Sequence, residues 1–428
     1  MLRRLRALPL GLLAVVALVL LSALVPLSPI RDAATFGTVP AASLHRPTGY
    51  LLLAPVSNVL DTLTLLSVRQ HIALLVTLIL GYTLWWATLG RVFTTPVAPR
   101  RRAMRIAARV GTFVVLVVAL YAAAAVLPRP MAALDVGPDI LTVDFHSHTR
   151  YSHDGRPDWS AEDNRSWHRT AGFAVAYVTD HRTFEGARDA WANNPTSAGE
   201  GVSLLPAIEV VWRGEHVNVL DADRMYRGML TATLRDVDED ALRMASAIPG
   251  NEPVLIETIP GDPYKAVAAG APGTAGVRAL EVVDGAPRGL GQSRRERTRL
   301  VHFADSTDIA LVAGSDHHGW GHTAAAWTLL LLPDWRAIPP EQLSTSISTI
   351  LRRGRRASTI VAERYVADTD DGVKLPLTVP LVAWGMLRTL SGDERVVWLA
   401  WLAALYLLDW LRRARLGAAA DLAARTTL

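Results

Sequence analysis

The residues most able to do chemistry are histidines that follow strand-like runs. His146 and His148 close the segment Asp144-Phe145-His146-Ser147-His148, directly after the apolar run Ile140–Val143. Side chains on a strand alternate, so two histidines at i and i+2 point the same way. Neutral imidazoles aimed at one point suit a metal ion. Ala174–Val178 likewise runs into Thr179-Asp180-His181, and Ile309–Ala313 into Gly314-Ser315-Asp316-His317-His318. Three such ends predict one site, assembled at one end of a sheet or barrel. Ten of the twelve histidines lie between 146 and 322, and the chain has no cysteine. Disulfides and thiolate sites are therefore excluded, and any metal must be held by His, Asp and Glu.

The elements that position these groups alternate. Strands are expected at 140–145, 174–178, 203–210, 217–220, 254–257, 279–283 and 309–313. Helices are expected at 160–171, 185–191 and 293–305. Alternating β and α segments argue for a parallel sheet or barrel, whose reactive groups collect at the C-terminal ends of its strands. Residues 137–366 are of single-domain length. No internal repeat is evident.

The flanks have a different composition. Ala7–Leu27 is apolar, follows Arg3, Arg4 and Arg6, and is long enough to span a bilayer. It is read as an uncleaved anchor, because it exceeds a usual signal-peptide core and no small-x-small site follows. Ile72–Gly90 and Val110–Leu127 are read as second and third spans, making 1–136 an N-terminal membrane region. Tyr50–Val68 contains Pro55, Asn58 and Asp61 and is read as an interfacial helix. In 367–428, Val396–Leu411 is read as a span and Leu375–Leu390 as interfacial or partly inserted. Arg91, Arg100, Arg101, Arg102, Arg105 and Arg109 lie between spans two and three. By the positive-inside rule that loop is cytoplasmic, which puts the middle domain outside the cytoplasm.

Charge divides the same way. From Asp135 to Asp371 there are 34 acidic and 24 basic residues, a net of −10. The rest of the chain carries 20 basic and 6 acidic residues, a net of +14. The basic charge thus flanks apolar segments, and nucleic acid is not expected as a partner.

Four clusters occur in order. The first is His146-Ser-His148-Thr-Arg150-Tyr-Ser152-His153-Asp154-Gly155, and the second is Thr179-Asp180-His181. The third is Glu209 at the end of an apolar strand, with His216 seven residues on. The last is Gly314-Ser315-Asp316-His317-His318. This series resembles the PHP family, the polymerase and histidinol phosphatase domains. The resemblance covers most of the middle domain and none of the membrane segments. It implies a distorted (β/α)7 TIM-like barrel, here flanked by transmembrane helices, and hydrolysis of a small-molecule phosphoester. It also implies two or three divalent ions, Zn, Mn or Fe. The implied ligands are His146, His148, Asp154, His181, Glu209, His216, Asp316 and His318, with Glu209 bridging. Glu209, His216 and Asp316 are the residues assigned to catalysis. Two departures stand out. Ser152-His153-Asp154 replaces a Ser-Asp pair, so either His153 or Asp154 could be the ligand. No histidine stands near Thr258-Ile259-Pro260-Gly261, where the family has His-Pro, which puts the third metal in question.

The chemistry fits without the family. Crowded carboxylates and imidazoles need cations, and paired metals lower the pKa of a water and clamp both oxygens of a phosphoryl displacement. A metal-bound hydroxide would be the nucleophile. Asp144 and Asp180 are candidates to orient ligand imidazoles, and Arg150 and Arg182 to contact a phosphate. His168, His302 and His322 are read as structural. The alternatives are a metal-dependent amide or ester hydrolase of the same fold, and a non-catalytic metal-binding sensor or scaffold.

Overall fold

A computed structural model describes residues 10–88, 99–181, 183–212, 215–220, 254–258, 277–286, 289–369, 372 and 375–426. The chain begins with helix α1 (Leu10–Ser22), strands β1 (Ile30–Asp32) and β2 (Ala42–His45), and helices α2 (Thr48–Leu52) and α3 (Ala54–Thr64). The long helices α4 (Val68–Ala87) and α5 (Pro99–Val126) follow. Next come β3 (Ala133–Val136), β4 (Ile140–Ser147), α6 (Ala161–Ala171), β5 (Val175–Val178), α7 (Glu185–Ala192), β6 (Ser203–Trp212) and β7 (Glu215–Leu220). The remaining strands are β8 (Val254–Glu257), β9 (Val277–Asp284), β10 (Ala310–Gly314), β11 (Ala326–Leu331) and β12 (Thr359–Arg364). Helix α8 (Arg294–Thr307) lies between β9 and β10, and α9 (Pro340–Gly354) between β11 and β12. Helices α10 (Leu375–Arg388) and α11 (Gly392–Thr426) come last.

Ten strands form one curled sheet in the order β1-β12-β11-β4-β5-β6-β7-β8-β9-β10. Pairing is parallel along β4-β5-β6 and β8-β9-β10. Strand β7 runs against both β6 and β8, so all six of those strands point one way. The expected seven-stranded alternation is therefore corrected to an α/β half-barrel with antiparallel members. Strands β11, β12 and β1 lacked the strand–helix–strand rhythm that the sequence reading followed. The curl brings the end of β10 back to β4, where Asp316 N donates to His146 O (2.8 Å) and His148 N to His317 O (3.0 Å).

The period-2 rule separates core from site. Leu141, Val143 and Phe145 enter an apolar cluster with Tyr177, Leu205, Ile256, Val312 and the α9 residues Leu343, Ile347 and Leu351. Asp144 and His146 alternate with them on the opposite face. Helix α6 starts with a capping box at Ser160 and Asp163, which satisfies orphan amide groups. It stops at Gly172, whose φ of 87° is left-handed and where a Cβ would strike the Leu134 backbone.

The division at 136/137 does not divide the sheet. Ile30, Arg31 and Asp32 pair with Arg364, Glu363 and Ala362. Strand β2 pairs with β3. Two helices among the described residues are long and apolar enough to cross a membrane, Val68–Ala87 and Arg100–Val126, with 11% and 0% of their apolar windows buried. Of the expected first span, Leu10–Ser22 is helical and the chain turns before Pro26, while residues 7–9 lie outside the described residues. Instead of one interfacial helix, 50–68 forms α2 and α3, with Tyr50, Asn58 and Asp61 buried. Asp61 explains the burial. It accepts from Tyr50 Oη (2.9 Å) and pairs with Arg129 (2.9 Å) and Arg364 (2.6 Å), so α3 is pinned to the sheet. The stretch 396–411 lies within the 35-residue α11, and Leu375–Arg388 is a short apolar helix containing Pro380.

Candidate metal centre

All eight expected ligands come together at the C-terminal end of the parallel strands. They fall into overlapping groups whose ligand atoms lie within 4.8 Å of one another. These are His148/Asp154/His181/His318, His146/His148/Asp316 and His181/Glu209/His216. A fourth group, His146/Glu281/Asp284, adds two acids absent from the sequence reading. Their signal was present. Glu281 breaks an apolar strand run, and Asp284 ends that strand just before a glycine, as the other ligands end theirs.

Glu209 is the hub. Its Oε2 lies 2.9 Å from His146 Nε2, 3.3 Å from His148 Nε2 and 3.5 Å from His181 Nε2, while Oε1 lies 2.5 Å from His216 Nδ1. Asp316 Oδ1 lies 3.2 Å from His146 Nε2 and 3.1 Å from His148 Nε2. Asp316 reaches them from a left-handed backbone, φ 46°, which Asp tolerates better than most residues. Asp154 Oδ2 lies 3.2 Å from His318 Nε2 and 3.4 Å from His181 Nε2. His153 is in none of the groups and its side chain is 75% exposed, which favours Asp154 at this position. On the far side, His146 Nδ1 lies 3.2 Å from Glu281 and 4.0 Å from Asp284. Gly314 lets these approach, since a Cβ there would collide with Glu281 and with His146 Cβ.

The electrostatics are those of acids packed without a fixed cation. Burial and the charges of Asp316 and Glu281 push the Asp284 carboxyl well above its ordinary value. Burial raises Glu281 as well, against the charge of His146. Burial also acts to raise Glu209, but His146, His148 and His216 outweigh it and hold that carboxyl well below the usual range. For His148, burial opposes the charge, yet hydrogen bonds to Asp316 and Glu209 lift the imidazole to about 9. Among the described residues no arginine or lysine pairs with Glu209, Glu281, Asp284 or Asp316. Three imidazole nitrogens converge on a single Glu209 oxygen, and Asp284 Oδ2 is buried without a hydrogen-bond partner. These residues fit divalent cations, which favour such His and carboxylate sets.

The supporting residues differ from expectation. Asp144 does not orient a ligand imidazole. Its Oδ1 accepts from the backbone of His146 (3.1 Å) and Ser315 (2.9 Å), and Oδ2 meets His168 (2.7 Å), joining β4 to the β10 loop. Asp180 accepts from Thr149 N and Oγ1, both at 2.6 Å, and so braces the first motif. His168 is buried and structural as read, and His302 is exposed. Arg150 is part-exposed beside Asp189 (3.8 Å) and donates to Tyr151 Oη (3.2 Å). Arg182 and residues 259–276 lie outside the described residues.

No known protein family and no curated protein matches the chain by sequence. Among solved structures it is similar to PsfC from Pseudomonas syringae PB-5123, at 19% identity over 58% of this chain and 98% of that one, with TM-score 0.38. It is similar to a two-domain protein from Bacteroides vulgatus containing a predicted PHP-like metal-dependent phosphoesterase, at 13% identity over 53% and 66%, TM-score 0.33. It is also similar to the lesion-specific endonuclease Q from Pyrococcus furiosus, at 14% identity over 49% and 56%, TM-score 0.34. At these scores no activity passes from those proteins to this chain. The expectation that nucleic acid is not a partner finds no support in them either.

Proposed function

We propose that this chain is a membrane-anchored, metal-dependent phosphoesterase. The convergence of ten His, Asp and Glu side chains on overlapping ligand groups around Glu209 carries the reading. Divalent ions bound there supply charge that activates water and stabilises a phosphoryl transition state. His146, His148, Glu281, Asp284 and Asp316 would hold the buried pole of the centre, and Asp154, His181, His216 and His318 the open pole. Glu209 joins the two. A cavity of about 660 Å³, lined by Tyr151, His153, His181, Glu209 and His216, gives access from solvent. His216, half exposed and bonded to Glu209, stands at the solvent-facing rim of the centre.

The β1–β12 pairing supports the placement of the domain. Residues before α4 and after α5 share one sheet, so both lie on the same side of any membrane that α4 and α5 cross. The Arg-rich start of α5, with Arg100, Arg101, Arg102 and Arg105, then lies towards the other side, which under the positive-inside rule is the cytoplasm. The acidic domain therefore faces outward.

The test is the H146A/H148A double variant of the full chain. It is expected to lose bound metal and phosphoester hydrolysis together. A double variant that keeps full turnover would overturn the reading.

A further inference from the structure

A second cavity, of about 460 Å³, also opens beside the ligand cluster. At one end it is lined by Asp154, Asp316 and His318. At the other it reaches Leu63 of α3 and Ala124 and Ala125 in the last turn of α5. Trp320 stands on its wall and is 52% exposed. The two cavities share Asp154 and are chemically unlike. The first is walled largely by polar groups of the centre, whereas the second presents mostly apolar surface, with Thr64, His71 and Tyr121 among Leu63, Ala124 and Ala125 at its helix end.

Two further observations tie this second cavity to the bilayer surface. The loop that carries Asp316 and His318 is bonded directly to the end of α5, with Gly321 N donating to Ala125 O at 2.7 Å. Away from their contacts with α3, α10 and each other, α4 and α5 expose apolar side chains, with Leu80, Leu84, Val115 and Leu116 more than 60% exposed. The cavity thus lies at the helix ends, where chain and headgroup regions of a membrane meet.

We propose that the substrate is a lipid phosphoester. Its phosphate sits at the metal cluster, its apolar chain lies in the cavity between the cluster and the end of α5, and its polar portion faces the open cavity. This rests on the phosphoesterase reading and names the substrate of that same centre. Hydrolysis adds one water. Its oxygen bonds to phosphorus as the ester P–O bond breaks, and the leaving oxygen ends with a proton from that water. A soluble phosphoester would need only the solvent-facing cavity. An apolar passage from the ligands to the membrane helices is what a chain-bearing substrate requires.

The test uses the full chain in phosphatidylcholine nanodiscs with Mn²⁺ or Zn²⁺ supplied. Butyl and hexadecyl phosphates are compared, both as monoesters and as p-nitrophenyl diesters. The hexadecyl compounds are expected to give kcat/KM about tenfold higher or more, since burying only a few methylenes is worth that much. Partition into the bilayer also favours long chains, so the deciding quantity is the hexadecyl-to-butyl ratio in variants. Ala125→Phe, which fills the passage, and Trp320→Ala, which removes a wall without crowding, are each expected to lower it by about threefold or more. A hexadecyl phosphonate with a terminal diazirine is expected to label peptides containing 120–126 or 316–325. Equal rates for both chain lengths, or a ratio unchanged in both variants, would overturn the lipid substrate and leave the phosphoesterase standing. Metal-loaded protein that hydrolyses neither would overturn both.

Discussion

The two poles of the candidate centre are built from the same residue types in opposite surroundings. At the buried pole His146, Glu281 and Asp284 are each at most 2% exposed. At the open pole the side chains of His216 and Asp154 are 49% and 41% exposed. Acids at the buried pole are shut away from bulk solvent and pair with no arginine or lysine among the described residues, so their charge depends on imidazoles or metal. Acids at the open pole are screened by solvent. The difference teaches that the buried pole should govern metal retention and stability, and the open pole turnover.

The largest break is His146→Ala, which strips Glu209, Asp316, Glu281 and Asp284 of their shared imidazole. Leaving a buried charge unpaired costs about 3–5 kcal/mol, and denaturant unfolding of the metal-free chain is expected to show it. Next is Gly314→Ala, whose methyl group collides with Glu281 and His146. Overpacking of that kind costs about 1–3 kcal/mol, with reduced metal content expected by elemental analysis.

A pH series on the metal-free chain sharpens the same contrast. His148 is raised from an ordinary value of 6.5 to about 9 in the folded state. Its contribution is therefore fully present below about 6.5 and is lost as pH rises through 9. The loss is on the order of 3 kcal/mol, and metal loading should abolish this slope. At the open pole, His216→Ala is expected to change stability by under about 1 kcal/mol while lowering turnover about 10- to 100-fold. Smallest of all, His153→Ala should stay within about 0.5 kcal/mol and leave metal content intact.

Much of this was legible in the sequence because it is local. His146 and His148, the Thr179-Asp180-His181 turn, and Asp316 with His318 each follow an apolar run whose end the pattern marks. Eight of the ten clustered residues were named, as a set through the family resemblance; Asp154 and His216 follow no apolar run. Glu281 and Asp284 were missed because the reading followed histidines, although Glu281 interrupts an apolar run and Asp284 ends it. Strands β11 and β12 were missed because they pair antiparallel with distant segments. Strand β1 was hidden in a stretch that composition assigned to the membrane region, since only the tertiary fold brings Ile30 beside Arg364. The roles of Asp144 and Asp180 were misread for the same reason. Each bonds a backbone or side-chain group that becomes its neighbour only in the folded chain.

The most direct test is elemental analysis of the purified full chain after equilibration with Zn²⁺, Mn²⁺ or Fe²⁺. The expected result is two or three tightly held divalent ions per chain, lost when His146 and His148 are both replaced by alanine. A chain that retains no divalent ion under these conditions, yet hydrolyses phosphoesters in the presence of chelator, would contradict the account.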